Sequence, residues 1–302
     1  MLWLILAIVT RLLWALCNIS DQYVSRYIGR ESTMASVILF DLIGLPFITL
    51  LLLLRGFPET LLQNDIYPWM ICGTLAAFMG LFPYLRSLQM DEARNVAPLH
   101  EMTPIFVMVL GWGVLHEMMA MQQFFGACIV IISGFLFMWD FNHNHFKLKL
   151  FILMAVSAFM FSISQLILRH LSLKIEVWDI ALGFAIVSFL KGVLLLLCLP
   201  SARRHLFVSL QRKNRGLFLA VGSSEISNRL AALCLITVFS LAPTAGHVAA
   251  LSGTQPVFVM LLALLLGKLW SDHYTPLKWD RDTQVKLLVL AVMIGGIVLL
   301  QS

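Results

Sequence analysis

The sequence predicts an all-α integral membrane protein of ten transmembrane helices, arranged as two inverted five-helix repeats around a central cavity. Three observations carry that expectation. Hydrophobic residues make up 60% of the 302-residue chain and charged residues only 12%, with a mean hydropathy of +0.89. A water-soluble core does not need such an excess, whereas a lipid-crossing helix needs ~20 mostly apolar residues. Ten apolar runs follow one another with only short loops between them. Finally, one phrase occurs twice: Thr103-Pro104-Ile105-Phe106-Val107-Met108-Val109-Leu110 returns as Gln255-Pro256-Val257-Phe258-Val259-Met260-Leu261-Leu262.

The runs are Leu2–Ser20, Met34–Leu54, Tyr67–Leu88, Asn95–Leu115, Gln122–Trp139, Leu148–Leu168, Trp178–Leu199, Gly216–Phe239, Thr244–Leu266 and Val285–Leu300. The first run meets its first charge at Arg11 and has neither the leading basic residues nor the small-residue cleavage site of a secretory signal. It is expected to stay as a helix. The proline phrases fall in the fourth and ninth runs, and Ala93, Val96, Ala97 and Leu99 recur at the same spacing as Ala245, Val248, Ala249 and Leu251. An odd number of helices per repeat forces opposite orientations, which gives a first repeat over 1–139, a linker over 140–149 and a second repeat over 150–302. Gly134 and Gly296 fall at matching places in the fifth and tenth runs, where small residues let helices approach.

The net charge of +5 is explained by topology rather than by nucleic acid. Arg26, Arg30, Arg86, Arg94, Lys147, Lys149, Arg203, Arg204, Arg212, Lys213, Arg215, Lys268, Lys278, Arg281 and Lys286 fall on one side of the bundle, against Arg55, Arg169 and Lys174 on the other. The positive-inside rule makes the first side cytoplasmic and puts both termini outside. The five cysteines (Cys17, Cys72, Cys128, Cys198, Cys234) sit in apolar segments without a Cys-x-x-Cys pair and read as small hydrophobes. Asn142-His143-Asn144-His145 reads as a solvated loop, because two histidines lack a third metal ligand. No nucleophile elbow, zinc-protease helix or phosphate loop is present in the sequence, so no catalytic residue, cofactor or metal is expected.

Charges inside apolar runs mark function by default, since each costs at least ~2.5 kcal/mol at a helix centre. The eighth run carries Ser223-Ser224-Glu225-Ile226-Ser227-Asn228-Arg229, polar at every position but one. Glu225 and Arg229 stack one turn apart, as do Ser224 and Asn228. This is a substrate or proton site, or else an internal ion pair that only holds helices together. Arg11, Trp14, Asn18 and Gln22 form a polar-aromatic stripe on the first run, and Ser162, Gln165 and Arg169 a similar one on the sixth. Either stripe lines a cavity or glues helices. His100 and Glu101 precede Pro104 by one turn, and Ser252, Thr254 and Gln255 precede Pro256. A proline frees one backbone carbonyl and offers a polar spot or a hinge. His100 and Glu101 are candidate proton carriers, or residues in contact with water at a membrane surface. Asp41 and Lys191 are expected to pair, with each other or with other charges.

Two five-helix repeats with a proline-containing fourth helix and a glycine-containing fifth make the chain resemble the EamA family of the drug/metabolite transporter superfamily. Glu117 matches the family's Gly-Glu ending of the fourth helix, with His116 in place of the glycine; Gly267-Lys268 in the second copy departs further. Tyr84 with Ser87-Leu88 looks like the family's tyrosine in helix three, and Trp14 like its tryptophan in helix one. The resemblance implies a central cavity and secondary transport, often export, of amino acids or other small metabolites. It also implies cytoplasmic termini, where the charge count puts them outside, and the charge count is followed here.

The function expected is therefore alternating-access export of a small polar metabolite, with proton coupling through Glu225 or Glu101 as a hypothesis. The expected substrate-binding set is Glu225, Arg229, Asn228 and Ser224, then Glu101, His100, Tyr84, Gln255, Arg11 and Asn18. Partners are the small-molecule substrate, protons and the lipid bilayer, in a monomer or homodimer spanning a cell membrane, the bacterial inner membrane. Alternatives are a lipid-linked carrier or flippase with a laterally open cavity, a membrane enzyme with catalytic groups at one interface, and a non-transporting sensor with a closed core.

Overall fold

In the computed structural model, the described residues are 2–28, 32–115, 121–137, 139–140, 145–211, 215–241, 248, 254–269 and 281–301. They form thirteen α-helices, one short 3-10 turn at Glu59–Leu62 and a two-residue antiparallel pairing of Trp139–Asp140 with His145–Phe146. The helices are α1 (Leu2–Tyr27), α2 (Thr33–Ile43), α3 (Leu45–Arg55), α4 (Tyr67–Met90), α5 (Ala93–His100), α6 (Thr103–Leu115) and α7 (Met121–Phe137). After the hairpin come α8 (Leu148–Ser172), α9 (Val177–Cys198), α10 (Pro200–Gln211), α11 (Arg215–Leu241), α12 (Gln255–Leu269) and α13 (Arg281–Gln301).

Among the described residues, six helical stretches are long and apolar enough to cross a membrane: α1, the continuous pair α2–α3, α4, α8, α9 and α11. This is a multi-pass membrane protein. Of the remaining expected spans, the fourth is not a single helix. The sequence predicts one run over Asn95–Leu115; the structure divides it into α5 and α6 at Glu101-Met102. Pro104 has no N–H to offer the His100 carbonyl, and Thr103 Oγ1 donates to that carbonyl instead, at 2.6 Å. A second proline, Pro46, begins α3 and marks the break after α2.

The helices pack in a definite pairing. α1 runs along α11, and α4 runs along α8. α7 lies on α13, α2 on α9, and α5 on α12. The largest buried apolar cluster is drawn from both ends of the sequence, including Ile19, Ile38, Leu85 and Leu99 with Leu217, Val259 and Leu290. Outward-facing positions are also apolar, as at Leu53 and Leu54, which are 80% and 70% exposed. Such a surface suits lipid and not water.

Loop ends sort onto two faces. At one, Arg26 Nε donates to the Leu88 carbonyl at 3.3 Å, and Lys147 Nζ to Asp91 Oδ2 at 2.6 Å. At the other, Arg55 Nη1 pairs with Glu176 Oε2 at 2.9 Å, and Thr60 donates to Asp179 at 2.8 Å. Within the loop between the seventh and eighth runs the structure forms α10, which lays Ala202, Leu206 and Ser209 against the bundle.

Candidate functional site

Nine helices contribute to a central cavity of about 290 Å³. Its polar wall comes from α11, the helix whose mid-section is least suited to lipid. Ser224, Glu225, Asn228 and Arg229 all line it. Arg229 Nε donates to Glu225 Oε1 at 2.5 Å, one turn back along the same helix, and the guanidinium carbon lies 5.6 Å from the Phe47 ring centroid. Gly44, between α2 and α3, leaves room for it: a Cβ there would stand 2.5 Å from Arg229 Nη2.

A second ion pair faces the same space. Lys191 Nζ on α9 lies 3.2 Å from Asp41 Oδ1 on α2, and 4.9 Å from the Phe78 ring centroid. Asp41 Oδ2 is buried and has no hydrogen-bond partner among the described residues. Of the pairings the sequence leaves open for Asp41 and Lys191, the two make the one with each other, at the cavity.

The third polar group of the wall went unnoticed in the sequence. Asp21, on α1, is 6% exposed. Its Oδ1 accepts a hydrogen bond from Ser224 Oγ at 2.5 Å, and its Oδ2 accepts from Tyr84 OH at 3.3 Å and Cys17 Sγ at 3.6 Å. Tyr84 OH also donates to Asn18 Oδ1 at 2.7 Å. These contacts tie α1, α4 and α11 together. Trp14 Nε1 reaches Asn228 Oδ1 at 3.4 Å on the same α1–α11 seam. Asp21 was missed because it lies near the end of the first apolar run and beside, not on, the stripe from Arg11 to Gln22. Its spacing of three from Asn18 and four from Cys17 was the available signal.

The other expected residues divide. Tyr84, Asn18, His100 and Gln255 line the cavity. His100 packs edge-on to Tyr84, with ring centroids 6.2 Å apart, and tilted on Phe161 at 5.2 Å. Of the sixth run's stripe, Gln165 lines the cavity, while Ser162 turns its hydroxyl to the Phe159 carbonyl and Arg169 reaches the Phe239 carbonyl. Arg11 and Glu101 stand outside the lining. Arg11 is 3% exposed, its Nη2 donates to the Val248 carbonyl at 3.3 Å, and its guanidinium carbon lies 5.0 Å from the Trp14 ring centroid. Glu101, at the end of α5, is 1% exposed and interacts electrostatically with Arg11. The α1 stripe therefore splits: Trp14 and Asn18 face the cavity, whereas Arg11 and Gln22 hold neighbouring segments, Gln22 Oε1 accepting from the Ala93 amide at 2.7 Å. His116, Glu117, Asn142, His143, Asn144, Ser252 and the second-copy Ala245, Ala249 and Leu251 lie outside the described residues.

Aromatic rings complete the wall. Phe40, Phe47, Phe78, Phe161 and Phe184 join Trp14 and Tyr84 around the charged groups. Charges held in a partly apolar enclosure interact more strongly than in water.

Residues 1–139 match the family model described as the EamA-like transporter family. That match places residues 1–139 in the EamA-like transporter family. That family falls within the drug/metabolite transporter superfamily, whose members are transporters and not enzymes. A solved structure titled "Crystal structure of protein" is 14% identical and covers 98% of this chain and 94% of its own, with a TM-score of 0.68. At that identity the likeness shows a shared fold, over nearly the whole length of the chain. No curated protein matches the sequence.

Proposed function

We propose that the chain is a secondary active transporter that exports a small polar metabolite, such as an amino acid, by alternating access. The carrying observation is the cavity with two ion pairs, Asp41–Lys191 and Glu225–Arg229, held on different helices among aromatic rings. A zwitterion fits such a wall. Its carboxylate competes for Lys191 or Arg229, and its ammonium group for the open Asp41 Oδ2 or for Glu225. Asn228, Ser224 and Gln255 supply neutral hydrogen bonds beside them. The pairs exchange partners with substrate instead of losing them, so neither pair is left uncompensated in the empty cavity.

Two inverted repeats of five helices, over 1–139 and 150–302, form the moving parts of this reading. The helix pairing supports it. α1 opens the first repeat and packs on α11, the third span of the second; α8 opens the second and packs on α4, the third span of the first. A two-fold exchange of the halves requires both contacts together; it maps the pairs α2–α9 and α7–α13 onto themselves, and it exchanges the α1–α12 contact with the α8–α6 contact. The protein works in a bacterial cell membrane with both termini outside, as a monomer or homodimer, and draws on a proton gradient.

Proteoliposomes holding the purified chain test the reading directly. A labelled amino-acid panel is expected to show counterflow and to accumulate against its gradient when a pH difference is imposed. Movement of labelled lipid between leaflets without counterflow of any soluble metabolite would overturn it in favour of a lipid carrier.

A further inference from the structure

Three carboxylates line the cavity, Asp21, Asp41 and Glu225, against two basic side chains, Lys191 and Arg229. Asp41 and Glu225 each have a cationic partner. Asp21 has none among the described residues: its hydrogen bonds come from a serine, a tyrosine and a cysteine. It lies close enough to Glu225 for the two charges to repel. The cavity therefore holds one negative charge more than it holds positive, in surroundings where a lone charge is costly. Something that arrives from outside must balance it. A proton on Asp21 does so, and so does the cationic group of a bound substrate.

We propose that Asp21 is the proton-binding group of the cavity, and that one proton on it exchanges for the cationic group of one substrate molecule. This rests on the transport reading above and adds to it the coupling residue and the direction: antiport. The step balances simply. The carboxylate takes one proton from the water on one side, and gives it to water on the other when the substrate's ammonium group takes over the charge compensation. No bond other than the O–H bond forms or breaks.

Position suits Asp21 to the task. Its two oxygens contact α1, α4 and α11, so its charge state acts on the seam between residues 1–139 and the rest of the chain. The charged and titratable groups that face it are few. Cys17 is on its own helix, Tyr84 on α4, Glu225 on α11 with Arg229 one turn beyond, and His100 on α5 against Tyr84. Asp41 on α2 and Lys191 on α9 line the same cavity; Gln255 is the contribution of α12. A second observation points to a cationic ligand: Asp41 Oδ2, buried in the same wall, has no hydrogen-bond partner among the described residues.

Two measurements test the proposal separately from the transport reading. Infrared difference spectra of the full chain in lipid, between acidic and alkaline buffer, read protonated carboxyl groups without any ligand. The expected C=O band persists in Asp41→Asn and Glu225→Gln, is lost in Asp21→Asn and returns at a shifted frequency in Asp21→Glu. A band unchanged in Asp21→Asn overturns the proton site. Should Asp21→Asn fail to reach the membrane, Ser224→Ala removes the 2.5 Å donor to Asp21 together with its 3.3 Å contact to Cys17 Sγ, and the band is expected to change midpoint; an unmoved midpoint has the same overturning force. The exchange is then read in proteoliposomes containing a pH-sensitive dye and an equimolar mixture of the twenty proteinogenic amino acids. Wild type is expected to move protons opposite to amino acids, whereas Asp21→Asn loses the proton movement. Proton movement that survives in Asp21→Asn overturns the exchange. Absence of any amino-acid movement in wild type, with the infrared result as expected, overturns the transport reading and the exchange and leaves the proton site standing.

Discussion

Lys191 Nζ lies 3.2 Å from Asp41 Oδ1 because the residue after Lys191 is a glycine. A Cβ on Gly192 would stand 2.5 Å from Asp41 Cβ, so only a bare backbone lets α9 approach α2 this closely. The ion pair is fixed by helix contact as much as by its own attraction. That relationship makes both its members and its spacer open to test.

Gly192→Ala is expected to push α9 away from α2 and cost about 1–3 kcal/mol, the usual range for overpacking. Thermal unfolding in lipid-like detergent would show this as a lowered midpoint. An unchanged midpoint, with binding of substrate also unchanged, would remove Gly192 from its role as a spacer.

Removing one member of the pair leaves the other buried and uncompensated. Lys191→Met or Asp41→Asn alone is expected to destabilise by several kcal/mol, about 3–5 for a buried pair. The double variant should recover a good part of that loss in stability while still failing to transport. A double-mutant cycle with zero coupling would show that the two charges do not see one another.

Glu225→Gln keeps the shape of the side chain and removes its charge from Arg229, 2.5 Å away. A charge-assisted hydrogen bond is worth about 1.5–3 kcal/mol, so transport should fall by about ten- to a hundredfold. Counterflow at the wild-type rate and pH dependence would take Glu225 out of the site.

At the face away from the Arg55–Glu176 pair, Asp91 and Glu92 lie just beyond α4 and respond to pH in opposite senses. Burial alone would raise the Asp91 carboxyl, but the 2.6 Å hydrogen bond and charge of Lys147, with help from Asn95 and the Glu92 amide, hold it below its ordinary 3.8. Its contribution to stability is present above the unfolded value and is lost as pH falls through the lower folded one. Burial, only partly offset by Arg94 and Arg26, raises Glu92 above its ordinary 4.5. That contribution is present below the unfolded value and is lost as pH rises through the folded one. Asp91→Asn should therefore shrink the loss of stability expected in unfolding scans below about pH 4. An acid limb identical to wild type would mean the Lys147 contact adds nothing.

Much of this was legible in the chain. Lipid-facing residues must be apolar, so the spans announce themselves by composition. Ser224, Glu225, Asn228 and Arg229 stand out against α11 because the lipid tolerates no such group without a reason, and all four line the cavity. What could not be read is which way a polar side chain turns once neighbours from distant sequence arrive. Arg11 and Trp14 share a helix face, yet Arg11 goes to the Val248 carbonyl and Trp14 to the cavity. Asp21 was hidden because an acid near the end of an apolar run looks like a surface residue; only Ser224 and Tyr84, from two other helices, make it buried. The break at Glu101-Met102 was foreshadowed by Pro104, but not the hydroxyl of Thr103 that makes the break affordable.

The seam between α1 and α11 also sets a timetable for biosynthesis. Ser20 and Ser223, whose hydroxyls meet at 2.8 Å, are separated by 203 positions in the chain. When α1 leaves the ribosome its partner has not been translated. Asn18, Asp21 and Arg11 must then wait without their final neighbours while the intervening segments are inserted, sheltered by the insertion machinery or by provisional contacts. The late arrival of α11 is what closes the polar face of the first helix, so truncation anywhere before it should yield a nascent chain that quality-control proteases recognise and remove.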